Sequence, residues 1–265
     1  MFFGPHNNYK KVSEKNQRKV FNCIRKIKGK MNPVLKRVRA ELMENIEAHT
    51  KNTAQHFFRE KVKVYGIKTA VGSKISKEQF KLIRDKSKSE IFSLCTELFK
   101  SGYMEESFIA CNWSYNVRAQ FEENDFLVFE QWIEKYVSNW ASCDTLCNHT
   151  VGAFIEKFPE YSKELMSWAK SENKWMRRAS AVSLIVPAKK GKFSREAFEI
   201  ANLLMTDKED LVQKGYGWLL KEESRTRQDE VFQYVMKNKD RMPRTALRYA
   251  IELMPKQLKA KAMQK

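Results

Sequence analysis

The stretch SKEQFKLIRDKSKSEIFSLCTELF, residues 76–99, carries the pattern that decides the fold. Its apolar side chains recur at intervals of three and four residues, which is the spacing of one face of an α-helix. These side chains are Phe80, Ile83, Ile91, Leu94, Cys95, Leu98 and Phe99. Ser76 followed by Gln79 has the spacing of a capping box and predicts that a helix begins there. The stretch therefore predicts helices and not strands.

The same period continues on both sides of this stretch. The apolar residues Val34, Val38, Leu42 and Ile46 recur every four positions. We predict further helices around Trp113, around Trp132 and over residues 150–157, 160–170, 174–186, 194–205, 207–223, 227–238 and 243–253. Thr206 with Glu209 is a second capping box. Only 9 glycines and 6 prolines occur in 265 residues, which is too few for the frequent turns of a sheet-rich fold.

From about residue 75 onward, two predicted helices together occupy about 35–40 residues, the period of HEAT units. The chain is therefore predicted to be all-α, a HEAT-like helical-repeat solenoid with a concave face. Because the repeats are not visibly similar in sequence, an irregular helical bundle remains the alternative. We expect a basic N-terminal leader over residues 1–33, with a short helix at Val20–Ile27, and a single repeat domain over residues 34–265.

Basic residues are concentrated at the two ends of the chain. The net charge is +18, of which residues 1–40 contribute +11 and residues 241–265 contribute +6. Basic ends of this kind attract a polyanion, and nucleic acid fits better than a membrane surface. Solvated basic tails that aid solubility are the alternative. With no apolar run of about 18–20 residues and five scattered cysteines, we expect a cytoplasmic protein with reduced thiols and no membrane partner.

Familiar catalytic signatures are not found in the sequence. We see no glycine-rich phosphate loop, zinc-protease helix or nucleophile elbow. The segment Cys143–His149 contains thiol and imidazole groups that bind zinc, but their spacing does not match a zinc ribbon or finger. We therefore expect no metal and no cofactor, and we interpret Cys147 as a small buried apolar residue.

Trp140 and Asp144 form a more informative pair, because residues four apart share one face of a helix. An aspartate beside a tryptophan needs a partner or a function, since a charged group is costly to bury alone. It could equally cap the N-terminus of a neighbouring helix. Ser138 is a plausible cap for the helix that carries the pair.

Two later segments could also contribute to a site. Arg177 and Arg178 follow Trp175, and guanidinium groups suit phosphate, although such arginines are often simply solvated. In residues 212–218, Gly215 and Gly217 each cost about 1 kcal/mol relative to alanine within a helix. A packed helix or a ligand must therefore approach that backbone closely. Trp218 beside them is either a core residue or part of the same site.

Three segments, in this order, resemble the AlkD-like family of DNA alkylation repair proteins. They are the pair Trp140 and Asp144, the segment from Trp175 to Arg178, and residues 212–218. Residues 57–69, which end in Tyr65-Gly66-Ile67-Lys68-Thr69, also resemble a family segment, as do Asn173–Ala179, Val212–Glu222 and Arg244–Ile251. The resemblance extends from about residue 35 to residue 255. It implies a solenoid of HEAT-like helix pairs, in agreement with the periodicity.

The resemblance further implies a function in base excision repair. The family hydrolyses the N-glycosidic bond of positively charged N-alkylated purines such as 3-methyladenine and 7-methylguanine. By this likeness Asp144, Trp140 and Trp218 are the catalytic residues. The expected DNA contacts are Arg178, Arg177, Lys214, Phe57, Arg244 and Arg248. Phe57 stands where the family has a tyrosine, so a hydrogen bond from that position is in doubt.

The expected partner is double-stranded DNA with alkylated purines, bound by a monomer associated with the nucleoid. The basic leader and the basic C-terminal stretch are expected to add to DNA affinity. Two other interpretations remain open. One is a non-catalytic relative that binds damaged or branched DNA, and the other is a HEAT-type scaffold that binds proteins on its concave face.

Overall fold

A computed structural model describes residues 32–264, and this part of the chain consists of helices and connecting turns without a β-strand. The predicted helix Val20–Ile27 and most of the leader lie outside the described residues. No helix in the described range is both long and apolar enough to cross a membrane. The all-α prediction is confirmed.

The helices follow one another along the chain through connections that are mostly short. They are α1 Pro33–Glu44, α2 Ala48–Phe57, α3 Thr69–Lys81, α4 Lys88–Lys100, α5 Met104–Asn116, α6 Asp125–Tyr136, α7 Trp140–Thr145, α8 Gly152–Lys157, α9 Glu164–Trp168, α10 Lys174–Val182, α11 Ile185–Ala188, α12 Ser194–Leu203, α13 Asp210–Glu223, α14 Gln228–Asn238, α15 Arg244–Ala250 and α16 Lys256–Met263. A π-helical turn, Leu146–Val151, joins α7 to α8, and 3₁₀ turns occur at Arg118–Gln120 and Pro159–Lys163.

The helices pack in two rows. In the first row α3, α5, α7, α10, α13 and α15 contact one another in succession, and we call this the inner row. Helices α4, α6, α9 and α12 pack behind it. Stacked pairs of this kind bury a continuous core between the rows, as the repeat pattern predicted.

Three buried tryptophans show the repeat period directly. The indole Nε1–H of Trp113 donates to the Ser76 carbonyl at 2.9 Å, 37 residues earlier in the chain. Trp132 donates to the Thr96 hydroxyl at 2.9 Å across 36 residues, and Trp168 to the Glu130 carboxylate at 2.8 Å across 38 residues. Each bond satisfies a buried donor and joins one repeat to the preceding one. The predicted period of about 35–40 residues is confirmed.

Both predicted capping boxes are wrong. Helix α3 already begins at Thr69, so Ser76 lies inside it. Helix α13 begins at Asp210, and the Glu209 N–H donates to the Asp207 side chain at 2.9 Å. A serine or threonine three residues before Glu or Gln also occurs where no helix begins, so the motif alone does not locate an end.

A reciprocal capping box is present at α4 instead. The Ser87 hydroxyl accepts from the Glu90 N–H, while the Glu90 carboxylate accepts from the Ser87 N–H at 3.1 Å. These bonds satisfy two backbone donors at the start of the helix.

The predicted face of the first helix is correct in part. Leu35, Val38 and Leu42 are buried, whereas Val34 is only partly buried. Helix α1 ends at Glu44, and Ile46 is therefore exposed beyond its end. The prediction that Ile46 belongs to the buried face is wrong because the helix ends two residues before it.

Candidate functional site

A cleft of about 710 Å³ lies along four helices of the inner row. Its walls come from α7, α10, α13, α15, the end of α2 and the segment that follows α2. The lining residues are Phe57, Arg59, Glu60, Trp140, Asp144, Lys174, Arg178, Glu209, Asp210, Leu211, Lys214, Trp218, Lys221 and Tyr249. The fold thus brings together six of the residues predicted from sequence: Phe57, Trp140, Asp144, Arg178, Lys214 and Trp218.

Helix α7 presents Trp140 and Asp144 to the cleft on one face, as their spacing predicted. Its N-cap is Asn139, whose side-chain oxygen accepts from the Ser142 N–H at 2.9 Å. The predicted cap Ser138 is exposed and lies one residue too early. The π-helical turn begins two residues after Asp144, and irregularities of this kind often occur beside functional residues.

Arg178 holds the carboxylate of Asp144 through two hydrogen bonds. Arg178 Nε donates to Asp144 Oδ1 at 2.8 Å, and Nη2 donates to Oδ2 at 2.7 Å. The third nitrogen, Nη1, donates to the Leu211 carbonyl. The side chains of Arg178 and Asp144 are only 6% and 13% exposed. Two parallel bonds fix the plane of the carboxylate as well as its position.

Arg178 therefore orients Asp144, and its three nitrogens are engaged by protein acceptors. The predicted contact of Arg178 with DNA phosphate stays a prediction. The pair links two neighbouring repeats, because the two residues are 34 positions apart. Sequence alone could not show the pairing, since nothing local joins α7 to α10.

Burial raises the pKa of Asp144 above the usual value for an aspartate, and the hydrogen bonds and positive charge of Arg178 oppose that rise. The carboxylate is thus removed from water while a guanidinium supports its charged form. A fixed carboxylate in such a place acts strongly on a neighbouring positive charge, because little solvent screens it.

Aromatic rings form the opposing walls. Trp140 stacks on Phe58 with centroids 5.3 Å apart, and Phe57 meets its edge at 5.9 Å. Phe57 is 68% exposed at the mouth of the cleft. On the other wall the Lys221 ammonium lies 6.0 Å from the Trp218 ring and 5.9 Å from the Tyr249 ring.

The two glycines of α13 allow neighbouring helices to approach. A Cβ on Gly215 would lie 3.4 Å from Arg178 Cγ, so this position accommodates the residue that holds Asp144. A Cβ on Gly217 would lie 2.7 Å from Tyr249 Cβ and 2.8 Å from the Ala246 carbonyl oxygen of α15. The predicted close approach is confirmed at Gly217, where the approaching groups belong to the packed helix α15, whereas the contacts at Gly215 are ordinary.

The remaining predicted DNA contacts are placed differently. Lys214 lines the cleft and pairs with Asp210 at 2.7 Å. Arg177 is not among the lining residues: its Nε donates to Asp207 at 2.6 Å, and its Nη1 donates to two carbonyls of the preceding loop at 2.9 Å. These bonds connect Arg177 to Asp207 and to the preceding loop, and its predicted phosphate contact stays a prediction. Arg244 and Arg248 are exposed on α15, outside the cleft lining.

Sequence reasoning did not select seven charged or polar residues that line the cleft: Arg59, Glu60, Lys174, Glu209, Asp210, Lys221 and Tyr249. Tyr249 follows Arg248, and Lys174 precedes Trp175, so both lie inside segments that the sequence had already marked. The sequence could not show that these two side chains line the cleft, because this depends on how α10 and α15 pack against α13.

Cys143 and Cys147 lie behind the cleft and are fully buried, as expected for Cys147. Within residues 32–264 no three His, Cys, Asp or Glu side chains are grouped so that they could hold a metal ion.

The fold and the site together define an all-helical repeat protein whose cleft holds a buried carboxylate between aromatic walls. The family model described as DNA alkylation repair enzyme matches residues 38–254, and the chain belongs to this family. No match was found among curated proteins.

Two solved structures match this chain. One is described as a predicted DNA alkylation repair enzyme from Enterococcus faecalis, with a TM-score of 0.72 and 16% identity over 80% of this chain and 98% of that chain. The other is the Pseudomonas fluorescens alkylpurine DNA glycosylase AlkC bound to DNA containing an abasic site analog. It has a TM-score of 0.48 and 11% identity over 87% of this chain and 65% of that chain. At these identities the first structure supports the helical-repeat fold alone, and the second is too distant to support an argument.

Proposed function

We propose that the protein is a DNA glycosylase that excises positively charged N-alkylated purines, such as 3-methyladenine and 7-methylguanine, by hydrolysing the N-glycosidic bond. Membership of the family supports a role in alkylation repair. The observation that carries the finer proposal is Asp144, held by Arg178 in the cleft between Trp140 and Trp218.

The reaction needs little general-acid catalysis. When the bond between the sugar C1′ and the purine nitrogen breaks, both electrons go to the base and neutralise its positive charge. The sugar becomes an oxocarbenium ion, to which water adds with loss of a proton. A carboxylate beside the sugar stabilises the developing charge and orients the water. Asp144 meets this need because Arg178 prevents its rotation away from the cleft.

The aromatic walls suit a cationic substrate. Indole faces attract a positive charge by about 0.5–2 kcal/mol each, depending on how dry the contact is. Trp140 and Trp218 line the same cleft as Asp144 and could flank the sugar and the alkylated base. Phe57 extends the Trp140 wall toward solvent, where duplex DNA would approach.

The proposed partner is alkylated double-stranded DNA, bound by a monomer that works with the nucleoid in base excision repair. Basic residues would supply much of the affinity through phosphate contacts, so binding should weaken steeply with added salt. Water is the only co-substrate that this hydrolysis needs.

The test is base release from methylated duplex DNA at fixed salt, comparing wild type, Asp144→Asn and Asp207→Asn. Asp207 also pairs with an arginine but is not among the residues that line the cleft, so its variant controls for loss of an aspartate–arginine pair. We expect 7-methylguanine release by wild type and Asp207→Asn, and a loss of about 100-fold or more in Asp144→Asn.

Two other results would contradict the proposal. DNA binding without base release in the wild type would favour the non-catalytic relative. Absence of both binding and release would favour a protein-binding scaffold.

A further inference from the structure

Lys174, the first residue of α10, has an unusual environment within the cleft. Its ammonium lies 3.7 Å from a carboxylate oxygen of Glu60 and 3.6 Å from one of Glu209. Both distances exceed those of a good hydrogen bond. The other cleft lysines are closer to their partners: Lys214 is 2.7 Å from Asp210, and Lys221 is 3.2 Å from Glu252. Lys174 is therefore shared between two carboxylates and held tightly by neither.

The two carboxylates belong to different parts of the chain. Glu60 follows the aromatic pair Phe57 and Phe58, while Glu209 precedes α13. Helix α2, which leads into the aromatic pair, buries none of its own residues. Lys174 thus connects a lightly packed segment to the inner row. Partly exposed ion pairs contribute little to stability, so this connection can be broken at small cost.

The position of Lys174 also matters for an anion. It lines the same cleft as Asp144, Trp140 and Trp218, and its side chain is 35% exposed. Glu60 and Glu209 would repel a phosphate that enters the cleft. A phosphodiester that approached would be attracted by Lys174 and would compete with both glutamates for it.

We infer that Lys174 binds a phosphate of the DNA backbone beside the target nucleotide, and that the phosphate displaces Glu60 and Glu209 from it. This inference rests on the proposed function, because it assumes that DNA enters the cleft. In the free protein the ammonium lies between the two glutamates. In the complex the phosphate replaces the two glutamates, and the Phe57–Glu60 segment loses its ion pair with Lys174 of α10.

Displacement of the glutamates by a phosphate predicts that substitutions of Lys174 and of Glu60 change DNA affinity in opposite directions. Lys174→Met removes a phosphate contact, so duplex binding should weaken roughly 5–10-fold at 0.1 M salt. The slope of log affinity against log salt should also fall by about 0.9. Glu60→Gln removes a competitor and a repelling charge, so binding should strengthen about threefold. If the pair served only the fold, both variants would change affinity in the same direction.

The measurement is fluorescence anisotropy of an unmodified labelled duplex over a series of salt concentrations, so it does not depend on catalysis. Glu156→Gln is the matched control. Glu156 is 20% exposed and pairs with Lys190 and Lys192 at 3.0 Å, and none of the three lines the cleft. Its variant has the same change of net charge as Glu60→Gln and should leave affinity unchanged. Thermal unfolding of each variant checks that the fold is intact.

Weaker binding with a smaller salt slope in Lys174→Met, together with tighter binding in Glu60→Gln alone, would support the inference. Duplex binding by the wild type with unchanged affinity and slope in Lys174→Met would overturn it and leave the proposed function standing. An equal gain in Glu60→Gln and Glu156→Gln would also overturn it, because net charge would then explain the effect. A wild type that does not bind duplex DNA would overturn the proposed function and the inference together.

Discussion

The substitution Gly217→Ala tests how closely α15 must approach α13 to build the cleft. The added Cβ would lie 2.7 Å from Tyr249 Cβ, 2.8 Å from the Ala246 carbonyl oxygen and 3.1 Å from Ala246 Cα. Two of these atoms belong to backbone, so a change of side-chain rotamer cannot relieve the clash. Helix α15 would have to move outward by several tenths of an ångström.

The expected loss follows from two opposing effects. Overpacking a tight site costs about 1–3 kcal/mol, and this case lies at the upper end because backbone atoms are involved. Alanine in place of glycine within a helix recovers about 1 kcal/mol. The net destabilisation should be about 2 kcal/mol. For a chain of this length it corresponds to a fall of roughly 4–8 °C in the midpoint of thermal unfolding.

Gly215→Ala is the matched control, because it makes the same change in the same helix two residues earlier. Its Cβ would lie 3.4 Å from Arg178 Cγ, 3.5 Å from Arg178 Nη1 and 3.7 Å from Val182 Cγ1, which is ordinary contact. Stability should stay within about 1 kcal/mol of wild type, since the gain in helix propensity offsets mild crowding. The measurement is the midpoint of thermal unfolding of the two variants and the wild type by differential scanning calorimetry. Equal midpoints, or a Gly217→Ala variant more stable than wild type, would refute the packing argument.

Two further predictions concern the ion pair in the cleft. Arg178→Met should destabilise the fold by about 3–5 kcal/mol in urea denaturation, because it leaves the buried Asp144 carboxylate without its partner; a loss below about 1 kcal/mol would show that water reaches the pair. The rate of base release should fall as pH decreases through the pKa of Asp144, since the neutral acid cannot stabilise an oxocarbenium ion. Because burial raises that pKa, the decline should begin at a higher pH than for an ordinary aspartate. Single-turnover rates measured from neutral to acid pH would show it, and a rate independent of pH down to the usual aspartate range would contradict it.

Helix class and repeat period could be predicted from the sequence because both depend on local spacing. Apolar residues every three or four positions define a helix face whatever that face later contacts. The same reasoning placed Trp140 and Asp144 on one face of α7, as the structure shows. Helix ends were less predictable. Ser76 and Thr206 carry capping patterns, yet α3 and α13 begin elsewhere.

Which side chains meet across repeats was decided only by the tertiary structure. Nothing in the sequence indicated that Arg178 holds Asp144, which lies 34 residues earlier in the chain. Lys174 lies in a segment that the sequence had marked but was not itself selected, and its place between Glu60 and Glu209 exists only because α10 lies between the segment after α2 and the start of α13. The physical reason is that helix formation requires neighbours within about four residues, whereas a site between stacked repeats requires partners about one repeat length away. The sequence by itself thus determined the helices, their period and several side chains of the cleft, and the packing of the inner row decided the partner of each.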